Sequence, residues 1–284
     1  MMIDVRNIQL VQLEMLREID RICKKHNIQY SLFAGTALGA VRHNGFIPWD
    51  DDLDVVMIRS DYERFLQVAP CELGSTYYLQ REFSEHWPMF FSKLRKNDTT
   101  YLERYIPKDN ESHQGIYVDI FPCDNLSDRK VIRKLQYFAS KVVIAKSLYN
   151  RGYSTNSKIK KIFMQLCRIM PLKPFAKLTM LKSKIGTKKV HSFLGASSKY
   201  EKSIYEREWI CDTVRMKFED GEFPVSKNYD ALLTVLYGDY MTPLPEKDRE
   251  CKVHAVFADT EHPYTNYEHY RDEMTFDTFT RSIR

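Results

Sequence analysis

A chain of 284 residues that is 43% hydrophobic and 13% aromatic can bury a large core and does not have the composition of a disordered polymer. The formal net charge of +5 is mildly basic and unevenly placed. Six cysteines, scattered without C-x-x-C spacing, argue against a zinc site and a disulfide scaffold, and fit a reduced cytoplasm.

The first residues carry early charges and no apolar h-region, so no signal peptide is expected, and no run approaches the ~18 apolar residues of a membrane span. Residues 8–26 read as an amphipathic helix with Ile8, Val11, Met15, Ile19, Ile22 and Cys23 on one face, a packing element with no chemistry assigned. His26 at its end suits the helix dipole better than a ligand role. Residues 30–34 predict a short buried strand stopped by Gly35 and Thr36. Thr36 is expected to cap a short helix through Ala37, Leu38, Ala40 and Val41, whose first N–H groups would face an anion. Arg42 and His43 follow as phosphate contacts or, equally, as a cation pair at the helix C-terminus. After a loop over 44–49 the chain reads Asp50-Asp51-Asp52-Leu53-Asp54 and continues as a β-branched strand. Side chains alternate along a strand, so Asp52 and Asp54 share a face. Two carboxylates there repel each other and cost desolvation, and a divalent Mg2+ or Mn2+ removes both objections. The plainer alternative is a solvated acidic turn.

The run over residues 33–55, FAGTALGAVRHNGFIPWDDDLDV, resembles the signature of the LicD family of phosphocholine-type transferases. The resemblance implies an α+β fold, a nucleotidyltransferase (polymerase-β-like) core with a mixed sheet. In that family pattern a hydrophobic-Gly-Gly/Ser turn precedes an Asp-hydrophobic-Asp strand and a third carboxylate on a later strand. Gly35 and Thr36 match the turn, with Thr in place of the usual Ser, and Asp52 and Asp54 match the paired carboxylates.

Further along, Ser60-Asp61-Tyr62-Glu63 has capping-box form for a helix that Pro70 would end. Strands are expected over 76–80 and 89–94. Lys93 in the second either meets a diphosphate or is a solvated strand-end charge, and the family's similar Ser-Lys-hydrophobic-Arg strand favours the former. Asp119 lies in an otherwise apolar strand over 115–122, where an isolated carboxylate is costly unless paired or metal-bound. Its position matches the family's VDIFP strand and makes it the third expected metal ligand, a buried salt bridge being the alternative. Asp124 reads as turn chemistry.

Residues 129–199 hold eighteen Lys and Arg and no Asp or Glu, on helical apolar spacing broken near Pro171 and Pro174. Such a module implies an anionic partner (phospholipid headgroups, an anionic polymer or a lipid-linked saccharide diphosphate) or else a solvated face balancing an acidic remainder. No recognised nucleic-acid module is present, and no nucleic acid is expected. Residues 205–254 return to the family pattern, with Gly238 ending a helix and His254 free to be a phosphate contact, an acid/base or neither. The aromatics of this stretch serve a core or stack on a ligand. The expected division is a core over 1–125, a basic helical insert over 126–200, and a part over 201–284 that completes the site.

These features suit metal-assisted phosphoryl-type transfer, with Asp52, Asp54 and Asp119 catalytic and metal-binding, and Asp119 the best acceptor for the incoming hydroxyl's proton. Gly35, Thr36, Arg42, His43 and Lys93 are the candidate phosphate contacts. Asp50 and Asp51 are expected to fix the loop, with Asp51 the closer to a metal-bound water. What the resemblance implies is a CDP-alcohol donor, as in CDP-choline, a sugar hydroxyl on a cell-surface glycan (teichoic acid, lipopolysaccharide) or its lipid-linked precursor, and release of CMP. The expected location is the cytoplasm, with the basic helices at the inner membrane face. Two alternatives stay open: nucleotide transfer with pyrophosphate release, and a non-catalytic protein that binds membranes or polyanions.

Overall fold

The computed structural model describes residues 4–103, 111–153, 155–181, 186–192, 194, 196, 200–249 and 253–267. Cys251, part of the basic span including Lys182, Lys184 and Lys199, and the tail from residue 268 lie outside the described residues.

Helix α1, Val5–Lys25, opens on Asp4, whose side chain accepts the Asn7 N–H at 3.2 Å. Its apolar stripe, including Met15, Leu16, Ile19 and Ile22, is wholly buried against the sheet. The sheet is built from β1 (Ser31–Leu32), β2 (Asp54–Ile58), β3 (Tyr77–Gln80), β4 (Ser92–Lys96) and β6 (Tyr117–Asn125), while β5 (Thr100–Glu103) belongs to a separate two-stranded sheet. Its order is β1-β2-β6-β4-β3; β2 and β6 run parallel, and the other neighbours antiparallel. The fold class is therefore α+β around a mixed sheet.

Helix α2, Ala34–His43, links β1 to β2, and α3, Arg59–Glu72, follows β2 directly. Three local expectations change here. The strand before Gly35 is only two residues, and α2 begins at Ala34, so Thr36 lies inside the first turn rather than capping it. The buried Thr36 hydroxyl accepts the Asp54 backbone N–H at 2.8 Å instead, a tertiary bond that outcompetes the local cap. Helix α3 has no side-chain cap from Ser60 and runs past Pro70 to Glu72. Pro70 stands in its last turn, where its missing N–H costs only the bond to the Leu66 carbonyl, and the Leu73 N–H still donates to the Ala69 carbonyl. Asp124 is no turn residue: β6 runs on through Pro122, and Asp124 accepts Arg59 bidentately at 2.7 and 3.0 Å.

The chain then forms α4 (Lys130–Asn150), α5 (Lys158–Ile169) and α6 (Leu172–Met180), which close a small core of their own around Val142, Ala145, Met164 and Cys167. Strand β7 (Lys189–His191) returns to the far end of β6, and β8 (Ile204–Glu206) pairs with it. After the short α7 (Arg207–Cys211), the hairpin of β9 (Thr213–Phe218) and β10 (Gly221–Ser226) packs Phe218 and Phe223 on the main core. Helix α8 (Tyr229–Tyr237) ends at Gly238, whose φ of 76° is the positive value expected of a terminating glycine. Last, β11 (Ala255–Asp259) pairs antiparallel with β5. A segment some 150 residues downstream (~150 by numbering) is thereby laid along the strand that carries Glu103.

Candidate active site

The parallel pairing of β2 with β6 sets Asp54 opposite Asp119, and the antiparallel pairing of β6 with β4 sets Asp119 opposite Lys93. Residues directly opposite in a sheet point to the same face. Asp54, Asp119 and Lys93 therefore form one row across three central strands, all three buried. Two backbone bonds fix the entrance of that row: Asp119 N–H donates to the Leu53 carbonyl at 2.8 Å, and Phe33 N–H to the Asp54 carbonyl at 3.0 Å.

Lys93 is the cation of the row. Its Nζ stands 3.1 Å from Asp119 Oδ1 and 3.0 Å from Glu103 Oε1, and 3.0 Å from the Tyr117 ring centroid. Glu103 is held in turn by Arg151. The line of charges from Asp119 through Lys93 and Glu103 ends at Arg151, whose guanidinium lies 4.7 Å from the Trp87 ring centre and lines a cavity of about 660 Å³. Burial lowers the Lys93 pKa against the pull of Asp119 and Glu103. For Glu103 burial acts upward, but Lys93, Arg151 and Arg95 overcome it and hold the carboxyl well below its ordinary value.

At the opposite end of the row the charge is not balanced. Among the described residues no hydrogen bond or ion pair reaches the Asp54 carboxylate. Burial, then Asp52, Asp119 and Asp50, push its pKa well up. Burial also raises Asp119, to about 6, and its Oδ1, though close to Lys93, lacks a hydrogen bond of good geometry. Asp50 and Asp52 are both half-buried, and burial first and the Asp52 charge second push Asp50 up to about 8. The Asp50 carboxylate lies against the start of α2, where a Cβ at Gly35 would come within 2.6 Å of its Oδ2. Any side chain at position 35 would displace it.

Asp51 differs from the expectation made for it. It is fully buried, and its carboxylate accepts the backbone N–H of His254 at 2.9 Å, that of Ala255 at 2.8 Å and the Tyr101 hydroxyl at 2.7 Å. It is a tether between the acidic loop and β11, with no oxygen left to approach a metal-bound water. Burial raises its pKa, but these bonds overcome that and lower it. His254, left open by the sequence, stands at the site: Nδ1 is 3.1 Å from Asp51 Oδ1 and 3.7 Å from Asp52 Oδ2, and the hydrogen bond to Asp51 raises its pKa to about 9. Helix α1 also contributes more than packing. Gln9 donates to the Ile47 and Asp50 carbonyls at 3.0 and 2.8 Å, and Gln12 to the Asp51 and Tyr117 carbonyls at 2.9 and 3.2 Å. These two glutamines hold the loop's backbone from beneath.

Of the other candidates, Gly35 and Thr36 lie beside the carboxylates in the first turn of α2, while Arg42 and His43 lie in its last turn. Ten helical residues put the two ends ~13 Å apart. Arg42 donates to the Tyr240 carbonyl at 2.6 Å, fixing the loop after α8, and His43 meets Trp49 edge-on at 6.2 Å. Glu103, Arg151 and the Asp51–His254 tether were not singled out by sequence, where they read as ordinary polar residues. A buried charge after a β-branched run was the signal available for Glu103.

The arrangement brings together buried carboxylates with an unmet demand for positive charge, a cation and a helix start, groups of the kind that phosphoryl chemistry uses. Residues 27–150 match the family described as LicD/FKTN/FKRP, nucleotidyltransferase domain. The lipopolysaccharide cholinephosphotransferase LicD of Haemophilus influenzae is 29% identical over 253 residues, spanning 87% of this chain and 94% of that protein. Shorter matches are found to uncharacterised proteins of Rickettsia prowazekii (37% over 73 residues, 25% of this chain and 27% of that one) and Rickettsia typhi (42% over 57 residues, 20% and 18%). The protein is an enzyme, a phosphotransferase. Over residues 27–150, and more loosely over most of its length, the chain is similar to the LicD family.

Proposed function

We propose that the enzyme transfers a phosphoalcohol, phosphocholine-like, from a CDP-alcohol donor to a sugar hydroxyl of a cell-surface glycan or its lipid-linked precursor, releasing CMP, on a nucleotidyltransferase-type core. The observation that carries this reading is the Asp54–Asp119–Lys93 row, in a chain similar along nearly its whole length to a lipopolysaccharide cholinephosphotransferase.

The donor set fits Mg2+ or Mn2+. It is all oxygen, and Asp54 has no cation of its own among the described residues while three carboxylates raise its pKa. Asp52 and Asp54 would hold the ion, with Asp119 beside them. When bound, such an ion supplies neutralisation of the diphosphate and of the charge that builds on the leaving oxygen.

The chain's own residues do the rest. Asp119, raised to about 6 and steadied by Lys93, accepts the proton of the incoming sugar hydroxyl. The free N–H groups at the start of α2, at Gly35 and Thr36, bind non-bridging phosphate oxygens once Asp50 has yielded its place there. Lys93 keeps Asp119 oriented, and the cavity beside Arg151 receives the acceptor. Arg42 acts through the Tyr240 loop. Residues 1–125 carry the chemistry, and the 201–284 part closes it through the tether of Asp51 to His254 and Ala255.

The test is CMP release from a panel of CDP-alcohols with Mg2+ or Mn2+, with and without glycan acceptor, for wild type and Asp54→Ala. Metal-dependent CMP release from one donor, lost in the variant, supports the reading and names the alcohol. Pyrophosphate release from a nucleoside triphosphate, with every CDP donor inert, would replace it with nucleotide transfer, the activity that the matched domain's description suggests.

A further inference from the structure

The basic span divides its surface in a way that its charge alone does not reveal. On α5, Ile159, Ile162, Leu166 and Ile169 are 82, 57, 53 and 81% exposed. Steps of three, four and three residues put them on one side of the helix. The side facing α4 is a different one, carrying the buried Met164 and Cys167. Helix α4 shows a second exposed stripe: Val131, Leu135 and Phe138, at 72, 50 and 50%. Scattered exposed aliphatics need no explanation, whereas seven on two neighbouring helices, each stripe in register with its own helix, are apolar surface that water does not favour.

Cations surround this patch. Lys158, Lys160, Lys161 and Arg168 are exposed on α5, and Lys130 and Lys134 on α4. The span from 129 to 199 holds no acidic residue, so with a net charge of only +5 the rest of the chain is net negative. The positive charge is thus concentrated around the apolar stripe. A second copy of this chain would have to bring the same cations against these, whereas a lipid surface offers anionic headgroups at the level of the lysines and acyl chains at the level of the isoleucines. Among the described residues no helix is long and apolar enough to cross a membrane, so the contact is one of surface.

We propose that α5, assisted by α4, lies in the headgroup layer of an anionic bilayer, with Ile159, Ile162, Leu166 and Ile169 inserted and the flanking lysines on lipid phosphates. The phosphotransferase site would then work on acceptors displayed at that surface. The membrane contact stands or falls without reference to the donor.

The experiment is flotation of the full chain with vesicles of phosphatidylglycerol and phosphatidylcholine, and with phosphatidylcholine alone, for wild type and for Ile162→Ser/Ile169→Ser. Both substitutions are at exposed positions, and circular dichroism checks the fold. Binding to the anionic vesicles, weakened by salt and reduced roughly tenfold or more in the double variant, is expected. CMP release with a water-soluble acceptor should be unchanged in that variant. No binding to anionic vesicles, equal binding to both compositions, or undiminished binding by the double variant would overturn the proposal. So would sedimentation showing a lipid-free dimer that the double variant dissociates, since the patch would then be an interface between copies. Vesicle binding is read without turnover, so a failure of the CDP assay leaves this result standing, and the converse holds.

Discussion

Replacing Asp51 with Asn separates a tether from a ligand. The side chain is fully buried and takes its four nearest donors on two oxygens: His254 N–H and Nδ1, Ala255 N–H and the Tyr101 hydroxyl, at 2.7 to 3.1 Å. An amide of the same shape keeps one oxygen and turns an NH2 towards donors, so about two charge-assisted bonds are lost and a donor faces a donor. At about 1.5–3 kcal/mol for each bond to a charged group, the loss is on the order of 3–6 kcal/mol. In a chain of this size that lowers Tm by roughly 6–10 °C. A thermal melt followed by circular dichroism measures it, and hydrogen exchange should locate the loosening in β5 and β11, which Asp51 joins to the acidic loop. Mn2+ affinity, read by titration calorimetry, should stay within a few-fold of wild type. A melt within about 1 °C of wild type together with loss of Mn2+ binding would show Asp51 to be a ligand, and the geometric argument would be wrong.

Two further outcomes follow from bonds on the page. Thr36→Val leaves the buried Asp54 N–H without its 2.8 Å acceptor; it should cost about 1–3 kcal/mol in denaturant unfolding and lower turnover, and Thr36→Ser, which restores the hydroxyl, should recover both. His113 should make the protein acid-sensitive. Its Nδ1 accepts the Gly115 N–H at 3.0 Å and its Nε2 meets Asn97 Oδ1 at 2.9 Å, which fixes a neutral ring, and burial first, then Arg95, lowers its pKa from 6.5 to about 4. In the unfolded chain the ring takes up its proton near pH 6.5, in the folded one only near 4, so stability falls as pH drops through that window and levels below it. The full linkage is discounted to about 1–2 kcal/mol because the ring is partly exposed. Urea unfolding across pH 4–7 should show this slope flattened in His113→Gln; an unchanged slope would assign the acid sensitivity to other groups.

The sequence disclosed those parts of the site whose cost is local. Asp54 and Asp119 were legible because a carboxylate inside a run of Val, Ile and Phe is expensive wherever the strand is placed. Lys93 was not, since the sequence left it between a diphosphate contact and a solvated strand-end charge, and it is buried between Asp119 and Glu103. What could not be read was pairing at a distance. That Asp54 stands opposite Asp119 depends on β6 inserting beside β2, a register set by the packing of both faces of the sheet. The tether from Asp51 to His254 joins residues some 200 apart (~200 by numbering), and in sequence each is one more polar residue. Gln9 and Gln12 were hidden in the same way, since an amphipathic pattern does not separate a solvated glutamine from one that holds a loop. The Thr36 and Asp124 readings failed because a local rule was applied where a tertiary partner, the Asp54 N–H in one case and Arg59 in the other, had the stronger claim. The basic span gave up its charge to the sequence but not the exposure of its isoleucines, because helical spacing alone does not say which apolar stripe the neighbouring helix covers.

The distribution of charge along the row also orders the site. From Arg151 inward, each carboxylate has a cation: Arg151 on Glu103, and Lys93 between Glu103 and Asp119. Beyond Asp119 the alternation stops, and Asp54, Asp52 and Asp50 follow with only His254 nearby, itself committed first to Asp51. Burial first, and then the neighbouring carboxylates, raise the pKa values of Asp50, Asp52 and Asp54, while Lys93, Arg151 and Arg95 lower that of Glu103 against its burial. A group kept protonated by its neighbours is released when a cation arrives, so cation binding at Asp52 and Asp54 should expel protons, and more of them at pH 6 than at pH 9 (on the order of one unit either side of the Asp50 value). The balanced end has no such demand. One row of side chains, fixed by the order of three strands, thereby carries a charge-balanced end and an acidic one.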